Sequence, residues 1–331
     1  MQPIVLFSSV GRRAQLIECF RESLRDLSFS GGILGMDCSK IAPAAYLVDE
    51  FIPVPRCTDP EFVPRVLEIC LQHRVSLVVP TIDTELAVYA ACREKFARAG
   101  ITVLVSSPET VDICADKIRT HHWFVQNGLP TVRQAIPPEV LQDPGAWQFP
   151  LIAKPRWGSA SEGVVRVHSA EMLLAISRER PDLIIQEPAI GQEHTVNLLV
   201  DRSGQCVCAV PHLRMEVRGG EASKGTTVKH VALMDLARRV VQHLPGAYGP
   251  LNIQAFVGPE GRTMLIEMNP RFGGGFPLAF RAGAHFPRWI LEELLEIASS
   301  SSFTNWQEGL AMLRYDTAVF LPHEAWKGKL A

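Results

Sequence analysis

Three oxygen-bearing side chains lie close together in residues 251–275, LNIQAFVGPEGRTMLIEMNPRFGGG. The segment predicts two antiparallel strands joined by the turn GPEG, with Gln254 on the first strand and Glu267 and Asn269 on the second. Hard oxygen donors of this kind are the ligands that Mg²⁺ takes in proteins, together with water and nucleotide phosphates. Glu267 also interrupts an apolar run, and burial of an unpaired carboxylate is costly. The pattern predicts a magnesium site, with a structural salt bridge from Glu267 to Arg271 as the alternative.

A second group of polar residues follows the apolar strand LIAKP, in the segment IAKPRWGSASEGV at 152–164. Lys154 ends the strand, and Ser159 and Gly163 belong to the loop behind it. Glycines let backbone amides approach phosphate oxygens, serines donate hydroxyl hydrogen bonds, and lysine supplies a positive charge. The loop lacks the Gly-Lys-Ser/Thr ending of a P-loop, which excludes that class of NTPase. The segment predicts a phosphate-binding loop; a Gly/Ser hairpin with a surface lysine is the alternative.

The segment IIQEPAIGQEHTVNLLVD at 184–201 predicts a buried strand, a short connection and a second strand that begins with Glu193. In an adenine pocket the connecting backbone would form hydrogen bonds with the base, and Gln186 and Glu187 would flank it. The Glu193 carboxylate could accept hydrogen bonds from ribose hydroxyls. The alternative is a hairpin with a charged rim.

Two arginines complete the candidate chemistry. Arg271 stands two residues beyond Asn269 and is followed by FGGG, which can bring backbone close to a ligand. We assign Arg271 to a phosphoryl group or an acyl phosphate. Arg214 ends a predicted strand that faces the cleft expected between the lobes of the protein. It could bind a substrate carboxylate or stabilise an acyl phosphate. An ordinary exposed arginine is the alternative for Arg214.

The elements that position these residues fall into two classes. Apolar strands alternate with helical segments over the first part of the chain, which predicts a parallel sheet covered by helices, an α/β domain. Beyond the strand LIAKP, strands dominate and helices are few, which predicts α+β lobes with antiparallel sheets. In the first part we expect strands at 3–8, 32–37, 77–81 and 102–106, with helices at 12–27, 60–73 and 84–99.

The turn SSVGRR, followed by a helix and by Asp37 at the end of the next strand, superficially resembles a dinucleotide-binding unit. The turn holds one glycine where three are needed for the turn, the approach of the pyrophosphate and the helix packing. An NAD-dependent oxidoreductase is therefore disfavoured. Arg12 and Arg13 at the start of the helix could still hold an anionic substrate group, or they could be solvated. We expect the first-domain loops at 9–13 and 81–85, together with Arg214 and its neighbours, to form the substrate pocket.

The composition excludes several classes of partner. Lysine and arginine number 33 against 35 aspartate and glutamate, so no basic excess points to nucleic acid or to an anionic membrane surface. No apolar run approaches the roughly 20 residues of a membrane span, and the opening PIVLF is too short for a signal-peptide core. The eight cysteines are scattered, without the spacing of a metal site or a disulfide framework. We expect a cytoplasmic protein with small-molecule substrates.

Taken in order, the motifs SSVGRR, VPTIDTEL, LVSSPETVDICADK, LIAKP, IIQE and IEMNPRFGGG resemble the ATP-grasp superfamily. The likeness is to the group that includes the carbamoyl-phosphate synthase large subunit and pyrrolysine-biosynthesis-type ligases. It implies a pre-ATP-grasp α/β domain with a parallel sheet at 1–112, followed by an α+β ATP-grasp fold. The small lobe of that fold is expected at 113–186, and the large lobe with the metal site at 187–331.

The resemblance also implies the roles of individual residues. The cofactors it implies are ATP and Mg²⁺, with Mn²⁺ as a substitute metal. The implied contacts are nucleotide phosphates for Lys117 and Lys154, adenine for Glu187 and its neighbours, ribose for Glu193, the metal for Gln254, Glu267 and Asn269, and the transferred phosphate for Arg271.

Enzymes of this group transfer the γ-phosphoryl group of ATP to a carboxylate, and a nucleophile then displaces phosphate from the acyl phosphate. The resemblance therefore implies an ADP-forming carboxylate–amine ligase with small-molecule carboxylate and amine substrates, amino acids among them. It is compatible with a homodimer. A thiol or carrier-protein acceptor, and a regulatory ATP-binding protein without turnover, remain as alternatives.

Two further expectations follow from the resemblance. An acyl phosphate must be kept from water, so we expect a mobile cover, and the polar, glycine-containing segment at 214–230 is the candidate. The chain holds one grasp module where the larger relatives hold two, which disfavours carbamoyl phosphate synthesis as such.

Overall fold

The N-terminal part of the protein is a parallel α/β layer. The computed structural model describes residues 2–158 and 162–327. In the N-terminal part the strands are β1 (Val5–Ser8), β2 (Ile33–Asp37), β3 (Glu50–Pro53), β4 (Leu77–Pro80) and β5 (Thr102–Val103), and the α-helices are α1 (Ala14–Asp26), α2 (Phe62–Gln72) and α3 (Asp83–Arg98). All strands pair in parallel, in the order β3-β2-β1-β4-β5. Strand β3 was not expected from the sequence, because it lies at the sheet edge and three of its four residues are not buried.

Two short helices lead from this layer into a small antiparallel sheet. Helices α4 (Pro108–Ala115) and α5 (Lys117–Gln126) precede β6 (Gln134–Ala135), α6 (Pro137–Gln142), β7 (Leu151–Pro155), β8 (Val165–Val167), α7 (Ala170–Glu179) and β9 (Leu183–Gln186). The strands pair antiparallel in the order β6-β9-β7-β8. As the sequence indicates, Ser107 caps α4 by accepting a hydrogen bond from the Thr110 amide at 3.1 Å.

The C-terminal part is built on a six-stranded antiparallel sheet. It consists of β10 (Gln192–Val200), β11 (Cys206–Arg218), β12 (Glu221–Thr227), α8 (Val231–His243), β13 (Gly249–Val257), β14 (Thr263–Asn269), α9 (Phe276–Arg281), α10 (Phe286–Leu294), β15 (Ala311–Leu313) and α11 (His323–Trp326). The strand order is β14-β13-β10-β11-β12-β15. The three sheets fall within the three expected domain ranges, and the boundaries themselves stay a prediction.

The segment at 214–230, expected as a mobile cover, is mostly a β-hairpin, and its mobility stays a prediction. Strands β11 and β12 pair across a turn at Gly219 and Gly220, whose φ angles are 57° and 75°. Glycine accepts this left-handed backbone without strain. A cross-strand salt bridge of 2.7 Å joins Glu216 to Lys224. The alternating charges of this segment therefore belong to an extended hairpin.

Hydrophobic packing unites the first and last sheets. One core cluster contains Phe7 and Phe20 of the N-terminal layer together with Phe272 and Phe276 of the C-terminal part, and the Phe20 and Phe272 rings lie 5.8 Å apart. The four-stranded sheet packs α6 and α7 around a separate cluster. None of the helices in the described ranges is long and apolar enough to cross a bilayer.

Candidate active site

A cavity of about 270 Å³ lies between the four-stranded and six-stranded sheets. Strands β7 and β9 form one wall, and β10, β13 and β14 form the other. The predicted site residues that line it are Lys117, Lys154, Gln186, Glu187, Glu193, Gln254 and Glu267. Residues separated by up to 150 positions in the sequence are thus brought to one space between two sheets.

One part of the cavity is apolar. Ile152, Val164, Phe256 and Ile266 line it, which suits a flat heteroaromatic ring. The Gln186 side chain is 5% exposed and donates a hydrogen bond of 2.7 Å to Gln134.

Two lysines face the cavity from the four-stranded side. Lys154 is 7% exposed, and burial lowers its pKa to about 8, with Glu267 opposing and Lys117 reinforcing that shift. Burial also lowers the pKa of Lys117, whose ammonium donates a hydrogen bond of 2.7 Å to the Gly158 carbonyl. A buried and a half-buried cation in a shared space favour an anionic ligand such as a polyphosphate.

The loop after β7 is held by glycine geometry. Gly158, with φ of 102°, lines the cavity. Gly163, with φ of 71°, lies outside the lining, and its carbonyl accepts a hydrogen bond of 2.9 Å from Arg180. A Cβ at Gly163 would lie 2.6 Å from the Arg180 guanidinium. Gly163 therefore anchors the loop, while Ser159 lies outside the described residues.

The three predicted metal ligands meet at the paired strands β13 and β14. Gln254 lies directly opposite Glu267 in the antiparallel register. The Asn269 amide donates a hydrogen bond of 3.3 Å to Glu267, and Asn269 also lies opposite Asn252. The donor set offers oxygen atoms and one carboxylate, which fits Mg²⁺ completed by phosphate oxygens and water. The described parts of the chain contain no cluster of three or more His, Cys, Asp or Glu suited to a metal.

The salt bridge considered as the alternative, from Glu267 to Arg271, is wrong. Arg271 instead forms two hydrogen bonds, of 2.7 and 2.6 Å, with the carboxylate of Asp83 at the start of α3. The charge of Asp83 also raises the pKa values of Lys117 and Arg13 against the stronger effect of burial. The Arg271–Asp83 pair therefore stands between the cavity that holds Lys117 and the N-terminal residues around Arg13.

Arg214 lies inside strand β11, and its side chain is 3% exposed. Its guanidinium donates hydrogen bonds to the Glu193 carboxylate at 2.5 Å and to the Gly220 carbonyl at 2.7 Å. Burial raises the pKa of Glu193 and Arg214 opposes that shift. The ordinary exposed arginine is excluded, and the observed role of Arg214 is to hold Glu193 at the cavity wall. Its contact with substrate stays a prediction.

A second cavity, of about 460 Å³, opens beside the first strand and the start of α1. Ser9, Arg12 and Arg13 line it, as expected for the first-domain loops, together with Glu221 and Arg314. Sequence reasoning missed Glu221 and Arg314, whereas Asp83 lies in the loop at 81–85 that was expected at the substrate pocket.

Glu85, expected at the pocket, is fully buried beneath it. Its carboxylate accepts hydrogen bonds from Ser8 at 2.5 Å, from Ser9 at 2.8 Å and from the Thr81 amide at 2.6 Å. Glu85 therefore joins the loops after β1 and β4, and it shapes the second cavity from below.

The glycines of FGGG pack closely on other residues, and Gly273 and Gly274 also line the second cavity. A Cβ at Gly274 would lie 2.0 Å from the Glu221 carboxyl carbon, and one at Gly275 would lie 2.9 Å from His212. Burial lowers the pKa of His212 to about 3, so its ring is neutral. These glycines are needed for close packing of backbone on the protein's own polar side chains.

Two family models match separate parts of the chain. Residues 5–104 match the family described as PylC-like, N-terminal domain. Residues 179–318 match the family described as ATP-grasp in the biosynthetic pathway with Ter operon. The first range covers the parallel sheet, and the second covers the six-stranded sheet with its predicted metal site.

Among curated proteins, the carbamoyl phosphate synthase large chain of Thermotoga sp. (strain RQ2) is 23% identical over 284 residues. The match covers 78% of this chain and 26% of the relative, so the chain spans about a quarter of the length of that relative.

Two solved structures are similar in fold. The biotin carboxylase domain of Hydrogenobacter thermophilus 2-oxoglutarate carboxylase, in complex with MgADP, ADP and bicarbonate, has a TM-score of 0.74 at 16% identity, covering 94% of this chain and 73% of that one. The L-amino acid ligase from Bacillus licheniformis has a TM-score of 0.70 at 19% identity, covering 92% and 77%. The sheet topology agrees with the two family matches, since a parallel N-terminal sheet precedes two antiparallel sheets around a cavity. The chain belongs to the ATP-grasp superfamily.

Proposed function

We propose that the protein is an ATP-dependent carboxylate–amine ligase that works through an acyl phosphate and releases ADP and phosphate. The observation that carries the proposal is one cavity lined by the buried Lys154, the half-buried Lys117, Gln254 and Glu267. Asn269 adjoins this set through its hydrogen bond to Glu267. Cations on one wall and metal-ligand oxygens on the other suit the polyphosphate of ATP.

Each group has a position-specific role in this proposal. The apolar part of the cavity takes adenine, Glu193 accepts from the ribose hydroxyls, and Lys117 and Lys154 bind phosphate oxygens. Gln254, Glu267 and Asn269 would hold Mg²⁺, which would neutralise charge on the phosphates.

The reaction needs no covalent protein nucleophile. A carboxylate oxygen of the substrate attacks the γ-phosphorus, and the bond from that phosphorus to the bridging oxygen breaks to release ADP. The amine then attacks the acyl carbon, loses a proton and expels phosphate, leaving an amide. Arg271 supplies positive charge between the two cavities, where the γ-phosphoryl group would be transferred. Asp83 positions Arg271 through its paired hydrogen bonds.

The test is release of ADP and phosphate from ATP and Mg²⁺, with the full chain screened against carboxylic acids and amino acids singly and in pairs. We expect release that depends on two partners and gives a product of the coupled mass. Arg271→Ala should reduce turnover at saturating ATP by about 100-fold or more, whereas Arg98→Ala, an exposed residue on α3, should not. Release of AMP and pyrophosphate would contradict the mechanism, and product formed only on a thiol would redirect it to a different acceptor.

A further inference from the structure

The second cavity has the size of a small-molecule site and lies next to the proposed reaction centre. Its volume is about 460 Å³. Gly273, two residues after Arg271, lines this cavity, and so does Ile82, the residue before the Asp83 that binds Arg271. Arg271 therefore adjoins the cavity, and a substrate lying there could present its carboxylate at Arg271.

The lining of this cavity carries an excess of positive charge. Four arginines line it, and the carboxylates among its described lining residues are Glu221 and Asp316, so four positive charges minus two negative charges leave a balance of two. The lining arginines are Arg12, Arg13, Arg218 and Arg314. Such a surface favours an anion and disfavours a neutral or cationic ligand.

Two of these arginines converge on one carboxylate. Glu221 accepts a hydrogen bond of 3.1 Å from Arg13 and one of 2.8 Å from Arg314. Each guanidinium donates to Glu221 through one nitrogen. A guanidinium can bind a carboxylate or a phosphate through two nitrogens at once. Among the described residues, the Arg314 guanidinium donates a hydrogen bond to Glu221. The guanidiniums of Arg13 and Arg314 therefore keep N–H groups that do not bind Glu221, and this single carboxylate lies between two positive charges.

The remaining contacts fix this pair in place. Arg13 also donates to the Thr81 carbonyl at 3.2 Å, and its side chain is 20% exposed. The Arg314 amide donates to the Ser223 carbonyl at 2.9 Å, and its side chain is 30% exposed. Gly274 lies against the Glu221 carboxylate, where any Cβ would collide with it. The arrangement is a built, partly buried cationic site rather than a set of solvated side chains.

We propose that the carboxylate substrate of this enzyme carries a second anionic group, a carboxylate or a phosphate, which Arg13 and Arg314 bind in the second cavity. The inference rests on the proposed ligase function and specifies its substrate class. Glu221 competes with that second group for the two guanidiniums, and it keeps them in place when the group leaves.

The test compares three probes of similar length on the full chain with Mg²⁺ and ADP: propionate, succinate and 3-phosphonopropionate. Binding is measured by titration calorimetry. We expect at least one doubly anionic probe to bind about tenfold or more tightly than propionate, because its second anionic group gains charge-assisted hydrogen bonds from the two arginines. The tighter of the two identifies a carboxylate or a phosphate as the second group.

Two variants should shift this preference in opposite directions. Arg314→Gln should bring the doubly anionic probes to within about threefold of propionate, and Glu221→Gln should strengthen their binding about threefold or more because a competing negative charge is removed. Arg98→Gln is the matched control. Equal affinities for all three probes in the wild type, or an unchanged preference in both variants, would overturn the inference.

A separate readout keeps this inference distinct from the ligase proposal. Affinity for MgATP is measured in the same proteins and should be unchanged by Arg314→Gln. If the wild type fails to bind MgATP but still prefers the doubly anionic probes, the ligase proposal alone is contradicted. If the wild type binds MgATP and turns over acids that carry no second anionic group, and Arg314→Gln changes neither result, the proposal of a second anionic group alone is contradicted.

Discussion

Lys154 and Glu267 concentrate opposite charges in a cavity that is largely shielded from solvent. Lys154 is 7% exposed, and Glu267 counteracts the lowering of its pKa by burial. A buried lysine near one carboxylate has only a small preference for its protonated form. A polyanionic ligand can therefore raise the pKa of that lysine and stabilise its ammonium. The chemistry of this site should therefore respond to pH and to metal concentration.

The first prediction concerns the affinity for nucleotide as a function of pH. Because the pKa of Lys154 is lowered to about 8, the ammonium is charged below that pH and loses its proton as pH rises above it. Phosphate binding favours the ammonium, so affinity for MgADP should be flat below pH 8 and fall by up to about tenfold per pH unit above it. Dissociation constants measured from pH 7 to 9.5 check this.

Variants separate Lys154 from other titrating groups. Lys154→Ala should weaken MgADP binding about 10- to 100-fold at pH 7 and remove the slope above pH 8. Lys95→Ala, on an exposed position of α3, should leave both unchanged. A slope that persists in Lys154→Ala would show that another group causes it.

The second prediction concerns the metal. Glu267→Gln removes the single carboxylate of the predicted ligand set, so the Mg²⁺ concentration for half-maximal ADP release should rise about tenfold or more. Glu260→Gln, in the turn of the same hairpin, is the matched control and should titrate like the wild type. An unchanged Mg²⁺ requirement in Glu267→Gln would remove Glu267 from the metal site.

At the scale of elements, helix α3 does more than cover the parallel sheet. Its first turn places Asp83 against Arg271, and Glu85 in the same turn ties the loops after β1 and β4 together. The Tyr89 hydroxyl on the same helix donates to Ser8 at 2.8 Å. One helix thus supports both the loops under the second cavity and the arginine proposed to act on the phosphoryl group.

The third prediction tests that support. Glu85→Ala would leave the buried hydroxyl and amide donors without their acceptor, so the free energy of unfolding should fall by about 2–4 kcal/mol. Glu94→Ala, on an 88% exposed side chain of the same helix, should change it by less than about 0.5 kcal/mol. Urea denaturation of both variants measures the difference, and equal midpoints would contradict the role given to Glu85.

At the scale of the whole molecule, the three sheets do not share packing equally. The parallel sheet and the six-stranded sheet contribute to one cluster through Phe7, Phe20 and Phe272, whereas the four-stranded sheet has its own cluster around Leu151 and Ile185. An element with a separate core can open without the rest of the molecule. The four-stranded sheet, which carries Lys154, is therefore the wall best able to move relative to strands β13 and β14, which carry the predicted metal ligands.

The fourth prediction follows from this division. In native-state hydrogen exchange, amides of β7 and β9 should exchange through an opening of lower free energy than those of β1 and β13. MgADP should protect β7 and β9 more strongly than β1, because its ligands lie on both walls of the cavity. Exchange of all four strands at one common free energy, with and without nucleotide, would contradict an independent small lobe.

The sequence by itself determined what depends on neighbours along the chain. Alternation and the GPEG turn predicted the two antiparallel strands that carry Gln254 and Glu267, although a β-bulge between Gln254 and Ala255 sets their register. Ser107 with Pro108 marked the start of α4. The order of the motifs also predicted the parallel layer followed by antiparallel sheets. These features follow from local backbone preference and side-chain periodicity, which a single sequence contains.

Only the tertiary structure decided which charges pair. Asp83 and Arg271 are 188 positions apart, and Arg13 and Glu221 are 208 apart. An arginine has the same sequence signal whether it faces Glu267, Asp83 or solvent, because its partner is chosen by how distant elements pack. For that reason most residues that line the first cavity were predictable from their motifs, while the charged cluster of the second cavity was not.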